Sequence, residues 1–239
     1  MSAPVPDWLR ALADRLDEFP AVFPGAAAPP EGARHSAVLI LFGPHEHDGS
    51  GGSGSPGRSG EPGGSGEVDV LLTERAHDMR SHAAQVAFPG GAVDSVDTGP
   101  ASAALREAWE ETGLDATGVE VLGLLPDIYL EPSRFVVTPV LAWWVRPTPV
   151  AAVDAAEVAR VVRIPVAELT NPANRFRVRH PSGYVGPGFW ADGLFVWGFT
   201  GGLLARVLAE AGLEEPWDTE RFEDLPDGQT AASRERRPR

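Results

Sequence analysis

Residues 104–114 read A-L-R-E-A-W-E-E-T-G-L. At about 100° per residue, one arc of the helix that this stretch predicts carries Arg106, Glu107, Glu110 and Glu111. The opposite arc, which we expect to pack, carries Leu105, Ala108, Trp109 and Thr112. Carboxylates one helical turn apart repel each other, and a divalent cation held by oxygen ligands would remove that repulsion. On spacing alone, a solvated acidic surface is the alternative interpretation.

The composition excludes several classes of chemistry. The chain of 239 residues contains no cysteine, and all 20 of its basic residues are arginine. Thiol nucleophiles, thiolate zinc sites, disulfides, lysine Schiff bases and Walker-type phosphate loops are therefore excluded. The formal net charge of −14 argues against nonspecific nucleic-acid binding. An anionic substrate would need metal ions and a local group of arginines.

Hydrophobic residues make up 43% of the chain, but no run of about 18 apolar residues occurs. The first residues also lack the cationic and then apolar pattern of a secretory signal. We therefore expect a soluble, cytoplasmic protein with no membrane partner. Residues 1–213 are predicted to form a single domain, and the charged, proline-containing residues 214–239 a mobile tail.

Hydrophobic patterning predicts one helix and two strands before the acidic stretch. A helix over residues 7–17 would pack an apolar stripe on the main domain, with Asp7 as its N-cap. Residues 36–42 and 68–73 have the short apolar character of buried strands. The Gly/Ser-rich residues 45–66 are typical of a flexible linker, here predicted as an enlarged hairpin loop. We interpret a group at its start as solvated loop residues rather than a metal site: His45, Glu46, His47 and Asp48.

Residues 71–91 bring positive charge into an otherwise acidic chain, and they read L-L-T-E-R-A-H-D-M-R-S-H-A-A-Q-V-A-F-P-G-G. Arginine suits bidentate binding of phosphate, so the candidates for substrate contacts are Arg75, Arg80 and His82. A surface loop with scattered arginines is the alternative. Gly90 and Gly91 end a turn signal that also permits a close approach of the backbone to a ligand.

Both ends of the acidic helix are marked in the sequence. Pro100 suits the first helical turn, with Asp97 or Thr98 near the cap. Gly113 supplies a left-handed residue at the C-terminal end. The preceding loop and the capped helix are therefore predicted to form one unit over residues 88–114.

Residues 106–114 resemble the signature of the Nudix hydrolases, R-E-U-x-E-E-x-G-U, in which U is apolar. Every specified position of this half of the signature matches. In the first half, the acidic residue and the glycine, Asp97 and Gly91, each lie one residue earlier than in the general pattern. That shift resembles the coenzyme A pyrophosphatase branch of the family.

The same branch has an upstream signature that resembles residues 71–91: L-L-T-x-R-A-x-x-x-R, a spaced glycine, and then F-P-G-G. The chain departs from it at Ala84, where the branch has glycine. Further downstream, Arg134 stands where relatives often have glycine. The resemblance covers residues 36–208, apart from the Gly/Ser-rich insertion.

The C-terminal half also resembles this branch. Residues 153–169 are similar to the family's further acidic loop and following strand, where Glu157 is either an extra metal ligand or base, or an exposed loop glutamate. Residues 189–208 resemble the closing helix, whose helical spacing predicts a core position for Leu203, Leu204, Val207 and Leu208. Phe189 and Trp190 are able to stack on a substrate base, although packing is the favoured interpretation.

The resemblance implies a Nudix-like α/β/α sandwich, an α/β (α+β) fold with a mixed central sheet. It also implies hydrolysis of the diphosphate bond of coenzyme A, giving adenosine 3′,5′-bisphosphate and 4′-phosphopantetheine, with Mg²⁺ or Mn²⁺ as cofactor. Glu107 and Glu111 would bind the metal, and Glu110 would be a further ligand or would orient water. Arg106 would pair with these glutamates. The branch signature assigns phosphate contacts to Arg75 and Arg80.

Two other functions stay open at this point. A Nudix pyrophosphatase for ADP-ribose, NADH or another nucleoside diphosphate derivative would use the same residues. A non-catalytic nucleotide-sensing module ranks lower, because its usual mark is the loss of carboxylates that this chain retains. In each case the expected partner is a small nucleotide. A homo-oligomer is compatible with the sequence but is not indicated by it.

Overall fold

The computed structural model describes residues 2–23, 28–45, 68–76, 84–131 and 133–226. These residues form four α-helices: α1 (Asp7–Ala13), α2 (Pro100–Thr112), α3 (Val166–Thr170) and α4 (Gly198–Glu210). None of the described helices combines the length and the hydrophobicity that crossing a membrane requires.

The main sheet has eight strands: β1 (Arg34–Pro44), β2 (Val68–Arg75), β3 (Val86–Ala87), β4 (Gly90–Ala92), β5 (Val119–Leu124), β6 (Ile128–Leu130), β7 (Phe135–Trp144) and β8 (Val158–Pro165). The strand order is β3-β2-β1-β7-β5, with β4 beside β1, β6 beside β7 and β8 beside β2. The β1–β7 pair is parallel, whereas β1 and β2 are antiparallel. The predicted mixed sheet in an α+β fold is thus confirmed.

Alternation along β1 places its side chains in two separate cores, because successive residues of a strand point to opposite faces. Leu39 and Leu41 pack with the α2 side, whereas Ile40 and Phe42 pack in the larger core with α1 and α4. The predicted core residues of the closing helix are fully buried in this larger core: Leu203, Leu204, Val207 and Leu208. The sheet therefore separates α2 from α1 and α4.

A second sheet of four strands was not predicted. It consists of β9 (Arg175–Arg179), β10 (Val185–Ala191), β11 (Leu194–Val196) and β12 (Phe222–Glu223), in the order β11-β10-β9-β12. β12 pairs in parallel with β9. Residues 214–226, which we call the C-terminal segment, are therefore packed against the body rather than forming the expected tail. The remainder of that prediction, residues 227–239, lies outside the described residues.

The first two strands form the predicted hairpin, since Pro44 of β1 lies opposite Val68 of β2 in an antiparallel register. Residues 46–67 of the insertion lie outside the described part of the chain. Of the group interpreted as solvated, the structure describes His45, whose side chain is 32% exposed and whose Nδ1 atom lies 2.7 Å from the buried Asp69 carboxylate. This polar contact therefore joins the two strands at the end of the hairpin that leads into the insertion.

Several predicted boundaries differ in the structure. α1 ends at Ala13 and is followed by a 3-10 turn over Leu16–Glu18, and Pro6 rather than Asp7 is its N-cap. The N-cap of α2 is Gly99 rather than Asp97 or Thr98, while Gly113 is left-handed, with a φ of 71°, as predicted. Gly90 and Gly91 belong to β4 rather than to a turn, because the backbone there pairs with β1.

Two residues for which the resemblance implies glycine have a left-handed backbone. Ala84 has a φ of 56° and Arg134 a φ of 59°. Glycine adopts this region without the steric cost of a Cβ atom. The substitutions therefore preserve the backbone conformation that the resemblance implies, at the expense of local strain.

Candidate active site

Arg106 is the centre of a polar network on α2. Its Nε and Nη2 atoms donate to the two carboxylate oxygens of Asp97, at 3.1 and 3.0 Å. Nη2 also donates to the carbonyl oxygen of Ala92, at 2.9 Å. Nη1 donates to Glu107 at 2.9 Å and to Glu110 at 3.1 Å. Arg106 therefore joins β4, the loop before α2 and two of the signature glutamates.

Asp97 is a site residue to which the sequence gave no chemical role. Its side chain is only 3% exposed, and its carboxylate also accepts a hydrogen bond from the Asp94 amide, at 2.8 Å. Hydrogen bonding from Arg106 is the main cause that lowers the pKa of Asp97. An ionised Asp97 therefore fixes the Arg106 guanidinium. Asp97 lies one residue before the acidic position of the general Nudix signature, and that match could have identified its role in fixing Arg106.

Glu107 packs directly against the backbone of β4. A Cβ atom placed on Gly91 would lie 2.4 Å from the Cδ atom of Glu107, so only glycine leaves room for this carboxylate. Burial raises the pKa of Glu107, and the hydrogen bond from Arg106 opposes that rise. The predicted close approach at Gly91 is therefore made by a side chain of the site itself.

Glu111 is the most strongly perturbed carboxylate of the site. Its Oε2 atom accepts a hydrogen bond from the Gly90 amide, at 3.2 Å. Burial raises the pKa of Glu111 to about 7; this hydrogen bond and the charge of Arg75 act against the rise, whereas the charges of Glu107 and Glu157 add to it. Arg75 and Glu157 thus lie within electrostatic range of Glu111.

We call Glu107, Glu110 and Glu111 the acidic face. Glu110 is exposed and its carboxylate forms an ion pair with Arg106. The carboxylate of Glu111 instead accepts a hydrogen bond from the Gly90 amide. In the described part of the chain, no three carboxylate or imidazole side chains come close enough to hold a metal ion together. The convergence of three carboxylates predicted from helical spacing is therefore absent, because Arg106 and the Gly90 amide separate them.

Arg75 lies at the end of β2, and the adjacent Ala76 amide donates to the Glu157 carbonyl oxygen, at 2.9 Å. This backbone contact holds the Glu157 loop beside Arg75. The Nε atom of Arg75 is buried and has no hydrogen-bond partner among the residues that the structure describes. The other two predicted contacts, Arg80 and His82, lie outside the described residues.

The aromatic candidates have different surroundings. Phe189 is fully buried, as the favoured packing interpretation predicts. Trp190 packs edge-on against Phe195, with ring centroids 4.9 Å apart, but 39% of it is exposed, so packing accounts for only part of its surface. Trp109, predicted to lie on the packing arc of α2, is instead 60% exposed. Ala108 and Thr112 are the residues of this arc that are buried against the sheet, and Trp109 lies outside the buried side of the helix.

The chemistry of this donor set fits a divalent cation. Two partly buried carboxylates, Glu107 and Glu111, lie one helical turn apart, and the charge of Glu107 adds to the rise in the pKa of Glu111. Oxygen ligands of this kind suit Mg²⁺ or Mn²⁺. Glu157 is exposed, but its charge acts on Glu111, so it belongs to the same electrostatic group.

Residues 62–183, just over half of the chain, match the NUDIX domain model. The chain belongs to the Nudix family. Nudix hydrolase activity on a small nucleotide is the coarse function that follows, and enzymes of the family generally depend on a divalent metal.

Relatives and solved structures share this family name. The chain is 40% identical over 157 residues to a Cronobacter sakazakii protein called uncharacterized Nudix hydrolase NudL, covering 63% of this chain and 78% of the relative. The NudL protein of Escherichia coli O7:K1 is 38% identical over 150 residues, covering 61% and 76%. A crystal structure of the Nudix hydrolase RenU from M. smegmatis is 25% identical and covers 55% of this chain and 70% of that chain, with a TM-score of 0.39.

Proposed function

We propose that this Nudix protein hydrolyses the diphosphate bond of coenzyme A or a derivative, producing adenosine 3′,5′-bisphosphate and 4′-phosphopantetheine. The observation that carries the substrate assignment is the position of Arg75. This arginine belongs to the upstream segment that resembles the coenzyme A branch, and its charge acts on Glu111. The same arginine therefore links the substrate signature to the acidic face.

The surroundings of Arg75 support a phosphate contact. Its buried Nε atom has no acceptor among the described residues, and a guanidinium group binds phosphate oxygens with strong, charge-assisted hydrogen bonds. A diphosphate between Arg75 and the acidic face would satisfy this donor. Arg80 and His82 are proposed to contribute further contacts from the segment that follows.

Glu107 and Glu111 are proposed to bind Mg²⁺ or Mn²⁺, with Glu110 or Glu157 as further ligands. A cation held there would neutralise diphosphate oxygens and make water a better nucleophile. Arg106 is proposed as a positioning residue, because it holds Glu107 and is itself fixed by Asp97. The Gly90 amide donates a hydrogen bond to Glu111. Gly91 has no side chain and so leaves room for the carboxylate of Glu107.

A side-by-side substrate panel tests this proposal. The purified protein is assayed with coenzyme A, ADP-ribose and NADH, each with Mg²⁺ and with Mn²⁺, and the products are identified by mass spectrometry. We expect the highest kcat/KM with coenzyme A or an acyl or oxidised derivative. A higher kcat/KM with ADP-ribose or NADH would contradict the coenzyme A assignment, and ligand binding without any hydrolysis would indicate a sensing module.

Arg75→Gln separates the substrate contact from the metal site. We expect KM for coenzyme A to rise about tenfold, as for the loss of one charge-assisted hydrogen bond, with the metal concentration for half-maximal activity little changed. Arg179→Gln, an exposed arginine of β9, is the matched control. Equal effects of the two substitutions would argue against a phosphate contact at Arg75.

A further inference from the structure

A cavity of about 810 Å³ lies between α4 and the second sheet. Its walls come from β9, β10, α4, residues 22–23 and the C-terminal segment. Among the described residues that line it, there are none from α2, β2 or β4, so it is separate from the candidate active site. Its volume is within the range of about 300–1,000 Å³ that is usual for small-molecule sites.

Arg175 contributes a deeply buried charge to this cavity, with a side chain that is 1% exposed. Its guanidinium carbon lies over the ring of Phe189 and over that of Trp217, 5.0 and 4.7 Å from their centroids. Nη1 forms an ion pair with Oε1 of Glu214, 2.9 Å away, whereas Nε has no hydrogen-bond partner in the described part of the chain. Because buried donors without acceptors are costly, Arg175 is suited to receive an oxyanion.

Two further arginines increase the positive charge of the cavity. Arg177 is two residues from Arg175 on β9, so the two side chains share one face of the strand, and both line the cavity. Arg206 of α4 lines it as well and lies 3.5 Å from Glu210. Glu214 is the one acidic residue among the described residues that line the cavity. Three guanidinium groups against the carboxylates of Glu214 and Glu210 thus leave a local excess of positive charge in a chain of net charge −14.

The rest of the lining is aromatic and aliphatic. Phe23, Tyr184 and Trp217 supply rings, and Val22 and Pro187 supply aliphatic surface. Such surfaces bind an apolar or planar body by burial and stacking. A ligand that combines an oxyanion with such a body therefore matches the lining better than an inorganic ion.

We propose that this cavity is a second binding site, for a small organic anion. Its phosphate or carboxylate group contacts Arg175 and Arg177, and its apolar body lies against Phe23 and Trp217. The proposal does not depend on the proposed hydrolysis, because no residue assigned to that reaction lines the cavity. Phosphate and carboxylate share the same recognition by guanidinium groups, and the experiment separates them.

The test uses the full-length protein in EDTA, so that the acidic face holds no metal. Phenyl phosphate and benzoate are titrated separately, and the Nε–Hε NMR signal of Arg175 is followed. We expect a saturable shift with at least one probe, and the tighter probe identifies the preferred oxyanion. Arg177→Gln should weaken that binding about tenfold, as for the loss of a hydrogen bond to a charged group.

Two further variants make the result specific. Arg179→Gln, on the same strand but not lining the cavity, should leave the affinity unchanged. Glu214→Gln should increase the affinity, because it removes the carboxylate that competes for Arg175. No saturable shift with either probe, or an equal loss in Arg177→Gln and Arg179→Gln, would overturn the proposal. If Arg175→Gln, used to assign the signal, does not fold, the affinities of the other variants measured by calorimetry still decide it.

Discussion

At the scale of single residues, Glu111 couples the candidate chemistry to the pH dependence of stability. Burial raises its pKa from 4.5 to about 7, so the folded state binds the proton more tightly than the unfolded state. Stability is then fully present below about pH 4.5 and falls as the pH rises toward about 7. A bound cation would reverse the effect, because it stabilises the ionised form.

Glu111→Gln removes this titration while keeping an acceptor for the Gly90 amide. In EDTA, we expect the variant to be more stable than the wild type by about 1–3 kcal/mol at pH 8, and equally stable near pH 4.5. Hydrolase activity should be lost. Denaturant unfolding at the two pH values measures the first effect, with the exposed Glu110→Gln as control. A constant stability difference across this pH range would show that Glu111 is not the titrating group.

The backbone at Ala84 and Arg134 gives a second prediction at this scale. Both residues have a left-handed φ, of 56° and 59°, which costs a residue with a Cβ atom about 1–2 kcal/mol. Ala84→Gly and Arg134→Gly should each raise the free energy of unfolding by about 0.5–1 kcal/mol after the entropy of glycine is subtracted. Ala87→Gly, in strand β3, should lower it. A loss of stability in the first two variants would contradict the proposed strain.

At the scale of elements, β4 is the strand that shapes the site, and its two glycines act differently. A Cβ on Gly91 would meet the movable carboxylate of Glu107, whereas a Cβ on Gly90 would lie 2.3 Å from the backbone oxygen of Ala37. We expect Gly91→Ala to fold with near-normal stability and to lose about 100-fold in kcat through misplacement of Glu107. Gly90→Ala should instead destabilise the β1–β4 pair by about 1–3 kcal/mol. Thermal melts and kcat measured on both variants check this; similar losses of stability would contradict it.

At the scale of the whole molecule, the C-terminal segment joins the second sheet to the body. Glu214 and Trp217 both contact the buried Arg175, and β12 pairs with β9. A chain that ends at residue 213 should therefore be less stable, by about 3 kcal/mol or more, because it leaves a buried charge without its partner. A chain that ends at residue 226 keeps every described contact and is the comparison. Equal unfolding midpoints for the two chains would refute this role.

Local patterns were sufficient for the parts of the fold that depend on neighbouring residues. The spacing of Leu203, Leu204 and Val207 predicted a core helix, and the structure confirms it. Long-range pairing was not visible: β12 has two residues, too few for any periodicity, so the C-terminal segment was taken for a tail. The exposure of Trp109 was missed for a related reason, since the width of the buried side of α2 depends on the sheet it packs against.

The sequence predicted which residues of α2 lie on one side of the helix, but not how their side chains are arranged. Helical spacing placed Glu107, Glu110 and Glu111 on one side of α2, and the pairing of Arg106 with glutamates agrees with the contacts found. The competition between Arg106, Asp97 and the Gly90 amide for these carboxylates depends on β4 and its loop. Sequence spacing along α2 alone carries no information on those partners.

The length of β1 has a practical consequence for work with this protein, because its two ends lie in different parts of the molecule. Ser36, near one end of β1, lies opposite Ala92 beside the candidate site, whereas Pro44, at the other end, leads into the Gly/Ser-rich insertion. Eight residues of strand at about 3.3 Å each separate the two points by roughly 26 Å. A fluorophore or affinity tag placed next to Pro44 would therefore be attached at the end of β1 that lies away from the candidate site, which suits this position for immobilising the protein or following it by fluorescence.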